Sequence, residues 1–236
     1  MSENIKKITK DFVVDLDSSK NQSILKPNTR PFNNQAHQVN EVVEKIAEKI
    51  YNLIKDAKHS NDGIILNHNK IKEAFFSPFK PQLKNAKVFL SHSHADKNKA
   101  LKVKNYLESE TNHRVFIDSL FWDYKNNVLK EIKKHHIDVS KIEDAFTLIL
   151  RESLQNMIEK CPYFVFLQSN NSVSNQGLSR TTYSAWVYEE LKIAHSIRES
   201  RPTPMMESWQ VFHDISPFLE NLETITLKEL SHIINS

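Results

Sequence analysis

Glycine is nearly missing from this chain, which has only Gly63 and Gly177 among its 236 residues. The familiar phosphate-binding loops need closely spaced glycines, because their backbone must turn tightly and approach the phosphate groups. Neither the loop that binds nucleoside triphosphates nor the loop that binds dinucleotides can be formed with only these two glycines. The sequence therefore excludes both kinds of glycine-rich loop.

Cysteine and long hydrophobic runs are also scarce. Cys161 is the single cysteine, so no internal disulfide is possible and a reducing compartment is expected. The first 25 residues contain only a short apolar patch, residues 12–14, flanked by acids. No run approaches the roughly 18 apolar residues that a membrane span needs. We therefore predict no signal peptide and no membrane partner, and we expect a soluble cytoplasmic protein.

An excess of positive charge is lacking too. The 32 Lys and Arg residues nearly balance the 29 Asp and Glu residues, which leaves a formal net charge of +3. Proteins that bind nucleic acids usually concentrate basic residues on one face. The Lys-rich segment 97–104 is better explained as the exposed side of a helix, since Ala100 and Val103 can turn inward. We predict no nucleic-acid partner.

The chain changes character along its length. Residues 1–38 are polar and without sustained periodicity, and we predict an arm that is ordered in part around residues 12–16. The apolar residues of 39–57 recur at the period of a helix, and a second short helix is predicted at 71–76. We assign residues 1–84 to an N-terminal arm and helical extension, and residues 85–236 to the main domain.

Strand and helix patterns alternate throughout the main domain. The predicted strands are 87–90, 115–118 and 163–168, with weaker ones at 210–214 and 223–226. The predicted helices are 96–110, 142–160, 179–198 and 227–234, and an irregular stretch follows the second strand. This alternation predicts an α/β fold with a parallel sheet of about five strands flanked by helices. In such folds a ligand binds beyond the carboxyl ends of the strands, where the strand order reverses.

The first strand of the main domain runs directly into the sequence SHSHAD. Its His92, His94 and Asp96 match the start of the His-x-His-x-Asp-His motif of metallo-β-lactamase-like hydrolases. Lys97 stands where that motif has its fourth ligand, and an ammonium group would repel the cation. Those hydrolases also need many glycine turns, which this chain lacks. We predict no metal site, and two histidines without a functional role remain an alternative.

Three segments, in order along the chain, resemble the Toll/interleukin-1 receptor (TIR) domain family. VFLSHSHAD at 88–96 resembles the first strand of the family, and RVFID at 114–118 resembles the second. TYSAWVYEEL at 182–191 resembles the signature of its third helix, a Ser-x-Trp with a Glu four residues after the Trp. The resemblance covers residue 86 to about residue 200 and implies a flavodoxin-like TIR domain.

Catalytic TIR domains cleave the bond between nicotinamide and ribose in NAD+, and some then cyclise or transfer the ADP-ribose. The resemblance implies that Glu190 is the catalytic carboxylate, which would stabilise an oxocarbenium-like transition state. NAD+ is then the substrate, and no cofactor is expected. The residues implied to bind the substrate are Ser91, His92, Ser93, His94, Asp118, Trp122, Ser184 and Trp186.

Several of these residues also have ordinary structural explanations. A pair such as Glu189 and Glu190 on a helix is usually exposed to solvent. Trp186 can belong to the core, and Asp118 can cap the turn after its strand. Family members carry a BB loop after the second strand, often with glycine, and here the aromatic and charged segment 120–127 is its candidate.

The leading hypothesis is an NAD+ glycohydrolase or ADP-ribosyl cyclase, an NAD+ nucleosidase that makes an ADP-ribose-derived signal. The sequence resembles stand-alone bacterial TIR proteins, such as the TIR component of Thoeris-like anti-phage defence. The implied partners are NAD+, further copies of the chain through TIR–TIR contacts, and a separate effector reached through the nucleotide signal. A non-enzymatic TIR adaptor that acts by homotypic assembly is the alternative, and a nucleoside deoxyribosyltransferase-like enzyme is a third.

Overall fold

The structure is a computed structural model that describes residues 10–25, 43–60, 63–65, 67–77, 85–176, 179–182, 184–199 and 213–236. The described strands are β1 (Lys10–Asp15), β2 (Lys58–Ser60), β3 (Gly63–Ile65), β4 (Ala86–His92), β5 (Arg114–Ile117), β6 (Tyr163–Gln168), β7 (Ser174–Gln176), β8 (Ser179–Thr182), β9 (His213–Asp214) and β10 (Glu223–Thr224). The described α-helices are α1 (Ser19–Ile24), α2 (Val43–Lys55), α3 (His68–Phe76), α4 (Lys97–Thr111), α5 (Ser119–Lys133), α6 (Ser140–Lys160), α7 (Ala185–Glu199), α8 (Ser216–Leu219) and α9 (Leu227–Asn235). None of these helices combines the length and the apolar character needed to cross a membrane.

The chain forms two compact units. The first contains Met1–Thr29, Asn85–Asp118 and Leu154–Ser236, and the second contains Arg30–Lys84 and Ser119–Ser153. Each unit takes segments from both sides of residue 84. The compact units therefore differ from the predicted division of the chain at that residue.

The first unit is built on a five-stranded sheet in the order β10-β1-β6-β4-β5, with all neighbours parallel. The central parts of β4 and β6 are continuous apolar runs, as expected where both faces of a parallel sheet are covered. The Phe89 ring of β4 lies 5.8 Å from Phe164 on one neighbour and 5.4 Å from Phe116 on the other, measured between ring centroids. The predicted α/β fold, a five-stranded parallel sheet flanked by helices, is confirmed.

Strand β1 corrects the sequence prediction, which placed residues 1–84 outside the main domain. It pairs with β6 along its whole length, from Lys10 opposite Tyr163 to Asp15 opposite Gln168. In the flavodoxin-like strand order 2-1-3-4-5, counted from β4, this N-terminal strand occupies the fourth place and β10 the fifth. The prediction missed it because six residues that begin and end with charged groups carry little periodicity.

The second unit contains the predicted helical extension. Helices α2 and α3 confirm the two predicted helices, although residues 39–42 lie outside the described part of the chain. The buried face of α2 packs against α3 and α5. The Phe75 ring of α3 contacts Tyr124 and Phe146 at centroid distances of 4.9 and 5.0 Å. The apolar face of the extension is therefore covered within the second unit.

The stretch after β5 was predicted to be irregular, and this prediction was wrong. Residues 119–133 form helix α5, so the segment 120–127, expected as a BB loop, is helical. Val128, Leu129 and Ile132 are buried on one side of this helix. This helical spacing was not recognised in the sequence, because charged and aromatic residues are abundant at the start of the segment.

Two further boundaries differ from the sequence prediction. The helix expected at 179–198 begins only at Ala185, because residues 179–182 form strand β8. Residues 210–212 of the expected strand at 210–214 lie outside the described residues, and His213–Asp214 joins β7 and β8 in a small antiparallel sheet. Neither β8 nor β9 pairs with the main sheet. The fourth place in that sheet is occupied by β1.

The buried cysteine allows a direct test of the packing. Cys161 lies just before β6, where its Sγ is 3.8 Å from the carbonyl oxygen of Ala86, and burial raises the pKa of the thiol to about 12. Because the thiolate is the reactive species, we expect the folded protein to react with a disulfide reagent at pH 8 on the order of a thousandfold more slowly than an ordinary thiol. One thiol per chain should become reactive in guanidinium chloride. Fast labelling of the native protein would contradict this packing.

Candidate functional site

Polar residues gather at the carboxyl ends of three neighbouring strands. Ser91 and His92 are the last residues of β4, Asp118 directly follows β5, and Ser169 directly follows β6. From β4 the chain passes first to β5 on one side and later to β6 on the other, so the strand order reverses here. In a flavodoxin-like sheet this reversal is the usual ligand-binding edge.

Glu190 reaches this edge from helix α7. The Ser184 hydroxyl caps the helix by accepting a hydrogen bond from the Val187 backbone N–H at 3.2 Å. Val187, Glu190, Leu191 and Ala194 share the buried face of the helix, and α7 packs on β4. The Glu190 side chain is completely buried. A carboxyl group in such a place costs stability, which makes it a candidate for function.

The Glu190 carboxyl interacts with the Ser91 hydroxyl and with the Asp118 carboxyl. Burial raises the pKa of Glu190 well above its ordinary value, the Asp118 charge raises it further, and the Ser91 hydroxyl opposes the shift. Neither Glu190 oxygen has a hydrogen-bond partner of standard geometry among the described residues. The closed arrangement therefore favours the protonated form of Glu190.

His92 extends this cluster on the other side of Asp118. Its Nδ1 lies 3.3 Å from the Asp118 Oδ1, and both side chains are almost completely buried. Burial lowers the pKa of His92, while the Asp118 carboxylate opposes that shift. At neutral pH a neutral imidazole therefore faces the carboxyl group. Ser91, His92, Asp118 and Glu190 form one continuous polar cluster, which we call the carboxyl cluster.

A second polar network joins the loops that follow β4 and β6. The buried Asp96 carboxylate accepts hydrogen bonds from the Ser169 hydroxyl and, at 2.9 Å, from the Asn171 side-chain amide. Lys99 lies 3.7 Å from Asp96 and 2.9 Å from Asp17, and its hydrogen bond is the main cause that lowers the pKa of Asp17. Asp17, Ser169 and Asn171 were not predicted to be site residues. Two polar runs after apolar strands, DSS at 17–19 and SNNS at 169–172, were the available signals.

The three residues of the apparent metal motif lie in different surroundings. His92 faces Asp118, His94 is exposed, and Asp96 is held by Ser169 and Asn171. Within the described part of the chain, no three His, Cys, Asp or Glu side chains are grouped as they would be to hold a metal ion. The HxHxD pattern is therefore explained here by separate contacts, and the metal content of the protein stays a prediction.

The remaining predicted site residues are more scattered. Ser93 is buried and precedes the short 3-10 helix His94–Asp96. Ser184 has a structural role as the cap of α7, and Trp186 is half-buried one helical turn before Glu190. Trp122 lies in helix α5 of the second unit, and its side chain is outside the described residues.

The ordinary structural explanation of the glutamate pair, exposure to solvent, does not hold in this structure. Glu189 is only 5% exposed and Glu190 is 0% exposed, although adjacent helical residues project about 100° apart. Both can be buried because α7 lies in the first unit with structure on more than one side: it contacts β4, β8 and α8. Sequence spacing alone does not reveal that a helix has neighbours on two sides.

Comparison of the chain with family models, with curated proteins and with solved structures found no match. The resemblance to TIR domains therefore stays a prediction that depends on the three sequence segments. The candidate site depends on its own geometry: a buried carboxyl cluster at the ligand-binding edge of a parallel sheet.

Replacing Glu190 with Gln is expected to stabilise the fold at neutral and alkaline pH. The raised pKa means that the folded chain holds this proton more tightly than the unfolded chain. The resulting stability is present below the ordinary pKa of Glu and is lost as pH rises through the raised value. Glu190→Gln removes this loss, so its unfolding free energy should exceed that of wild type by roughly 0.5–2 kcal/mol at pH 8. Urea unfolding at pH 8 and at pH 4 measures the difference, which should shrink at the lower pH.

The exposed Glu220 provides a control for this experiment. Glu220→Gln should change stability little at either pH, because its carboxylate stays hydrated in the folded protein. A Glu190→Gln protein that is less stable than wild type at pH 8 would show that the fold stabilises the Glu190 carboxylate.

Proposed function

We propose that this protein is a cytoplasmic enzyme that cleaves the bond between nicotinamide and ribose in NAD+, with Glu190 as its catalytic carboxylate. One observation carries the proposal. The glutamate that the TIR resemblance marks as catalytic is a fully buried carboxyl at the edge of the sheet where ligands bind. Burying it costs stability, and packing alone gives no reason to keep a carboxyl there.

The chemistry of the reaction suits a single carboxylate. Nicotinamide leaves as a neutral pyridine, so no general acid has to protonate it. The ribose carbon becomes electron-poor as the bond breaks, and a nearby anion stabilises this positive charge. Water then adds to that carbon and releases a proton to solvent, giving ADP-ribose, or a nucleophile within the product closes a ring. A carboxylate in a dry environment acts more strongly on this charge than one in water.

Neighbouring side chains support the same proposal. The Ser91 hydroxyl interacts with Glu190 and so stands where a ribose hydroxyl could share the carboxylate. Trp186 lies one helical turn from Glu190 and is half-buried, so an aromatic ring of the substrate could pack against it. His94 is exposed at the end of β4, where its ring could donate to a phosphate oxygen. These three residues are the proposed binding contacts.

The proposed product is an ADP-ribose-derived signal. In this proposal a separate effector reads the signal during bacterial anti-phage defence, as in the TIR proteins that the sequence resembles. A nucleoside deoxyribosyltransferase would also need a buried carboxylate, but it would act on deoxynucleosides rather than on NAD+. Supplying both substrates to the purified protein separates the two reactions.

Glu190→Gln is expected to abolish most of the NAD+ cleavage. The amide keeps the shape of the side chain but removes the charge that stabilises the transition state. A loss of about 10²–10³-fold in turnover is typical for such a contact. NAD+ binding should weaken much less, because the lost interaction belongs to the transition state. The measurement is nicotinamide release at saturating NAD+, with the melting temperature recorded for each variant.

Glu189→Gln is the matched control, because Glu189 is also buried and belongs to the same helix. It loses a buried carboxyl without touching the proposed reacting group, so its turnover should stay within a few-fold of wild type. Near wild-type turnover in Glu190→Gln, or an inactive Glu189→Gln that is still folded, would show that the catalytic carboxylate is assigned wrongly.

We also propose that activity depends on contacts between copies of the chain, as the TIR resemblance implies. The expected BB loop segment, 120–127, is part of helix α5, so any contact there would involve a helix rather than a loop. Nicotinamide released per molecule should rise with protein concentration from nanomolar to micromolar. Sedimentation of the same samples shows whether the rise follows assembly. Constant activity per molecule across the range would count against this proposal.

A further inference from the structure

Strand β5 forms one edge of the main sheet. It pairs with β4, and no other described strand pairs with it. A strand in this position presents backbone N–H and C=O groups to which a further strand can bind. Val115, Phe116 and Ile117 are buried and apolar, a composition that favours strand pairing. An edge of this kind invites pairing with another chain unless something covers it.

Two side chains of helix α4 occupy the backbone groups of Val115. The Val115 N–H donates to Glu108 Oε1 at 2.9 Å, and the Val115 carbonyl oxygen accepts from Lys104 Nζ at 2.7 Å. A neighbouring strand would offer a C=O and an N–H to these same two groups. The carboxylate replaces that C=O, and the ammonium group replaces that N–H. The two side chains therefore stand where a further strand would bind.

The short connection between α4 and β5 brings both side chains to this edge. The helix ends at Thr111, Asn112 has a left-handed backbone with φ of 53°, and β5 begins at Arg114. The last turns of α4 therefore run beside β5, and the two elements are in contact. Lys104 and Glu108 are four residues apart, so they share one side of the helix and form an ion pair. One side of α4 thus supplies both a donor and an acceptor to the strand.

Stabilisation of the helix does not explain this ion pair. In an exposed helix the more favourable order places Glu before Lys, and here the order is reversed. The side chains are also largely buried, with exposed fractions of 14% for Lys104 and 19% for Glu108. Burial lowers the pKa of Lys104, while the Glu108 charge opposes that shift. The bonds to the β5 backbone give both charged groups a reason to be there.

The opposite edge of the sheet is protected in another way. Strand β10 has only two residues, Glu223 and Thr224, and both are exposed. A very short edge strand with a charged side chain offers little for another strand to bind. Strand β5 is longer and apolar, so it lacks this protection. The Lys104–Glu108 pair supplies a substitute for it.

We propose that Lys104 and Glu108 form an edge guard, which prevents a second copy of this chain from pairing its own β5 with the β5 of the first. Two copies related by a twofold axis would bring the same apolar edge together from both sides. The guard occupies the backbone groups that this pairing needs. The inference does not depend on the proposed function, and the contacts between copies proposed above would use another surface.

A peptide with the sequence of residues 113–118, HRVFID, stands for the β5 strand of a second copy. We expect the fluorescent peptide to bind Lys104→Ala/Glu108→Ala roughly tenfold more tightly than wild type, since two backbone hydrogen bonds become available. The same peptide with every backbone amide methylated should not bind, because it cannot donate to a strand. Fluorescence anisotropy measures both affinities. In sedimentation, the double variant should associate at a lower concentration than wild type.

The matched control is Lys102→Ala/Glu110→Ala. It removes one charge of each sign from the same helix but leaves both bonds to Val115 in place, so it should behave as wild type in both assays. Circular dichroism and the melting temperature show whether each variant is folded. If the double variant does not fold, Lys104→Met decides in its place. Methionine keeps an aliphatic stem but cannot donate to the Val115 carbonyl, so the peptide should bind this variant more tightly than wild type.

Three results would overturn the edge guard. The first is a folded variant that binds the peptide no better than wild type. The second is equal binding of the methylated peptide, which would show contact through side chains alone. The third is a double variant that associates no more than wild type at any concentration. None of these measurements involves NAD+, so the edge guard and the proposed function stand or fail separately.

Discussion

The parallel pairing of β4 with both β5 and β6 is the constraint on which the site depends. Parallel strands end at the same edge of a sheet, so residues that are far apart in sequence meet there. Ser91, His92, Asp118 and Ser169 all lie within two residues of a strand end. A slip of one residue in this register would move each of these side chains to the other face of the sheet. The carboxyl cluster would then be broken up.

Helix α7 turns that edge into a closed site, and the closure has an energetic cost. The helix packs on β4 and presents Glu190 to Asp118 in a place with no exposed surface. Packing favours an apolar residue at such a position, and hydration favours an exposed carboxylate. Position 190 is neither apolar nor exposed, because it holds a buried carboxyl. Ionising Glu190 therefore lowers the stability of the fold.

Strand β1 shows how the sheet is completed from a distant part of the chain. It lies between β6 and β10 and also carries Asp17 to the loop after β6, where Asp17 accepts a hydrogen bond from the Asn170 backbone N–H at 2.9 Å. The N-terminal segment therefore contributes to the sheet and to the loops beside the site. Removing it would expose the edges of β6 and β10, so it is an integral part of the first unit.

The sequence alone determined the elements whose apolar pattern is continuous, such as β4, β6 and the buried face of α2, and with them the α/β class. It also identified Glu190 and Asp118 as candidate site residues, because both lie within segments that resemble TIR motifs. Only the tertiary structure decided that β1 enters the sheet, that residues 119–133 are helical, and that Asp118 lies between His92 and Glu190. The physical reason is that periodicity records which face of an element is buried, whereas strand order and contacts between distant side chains depend on how separate elements pack together.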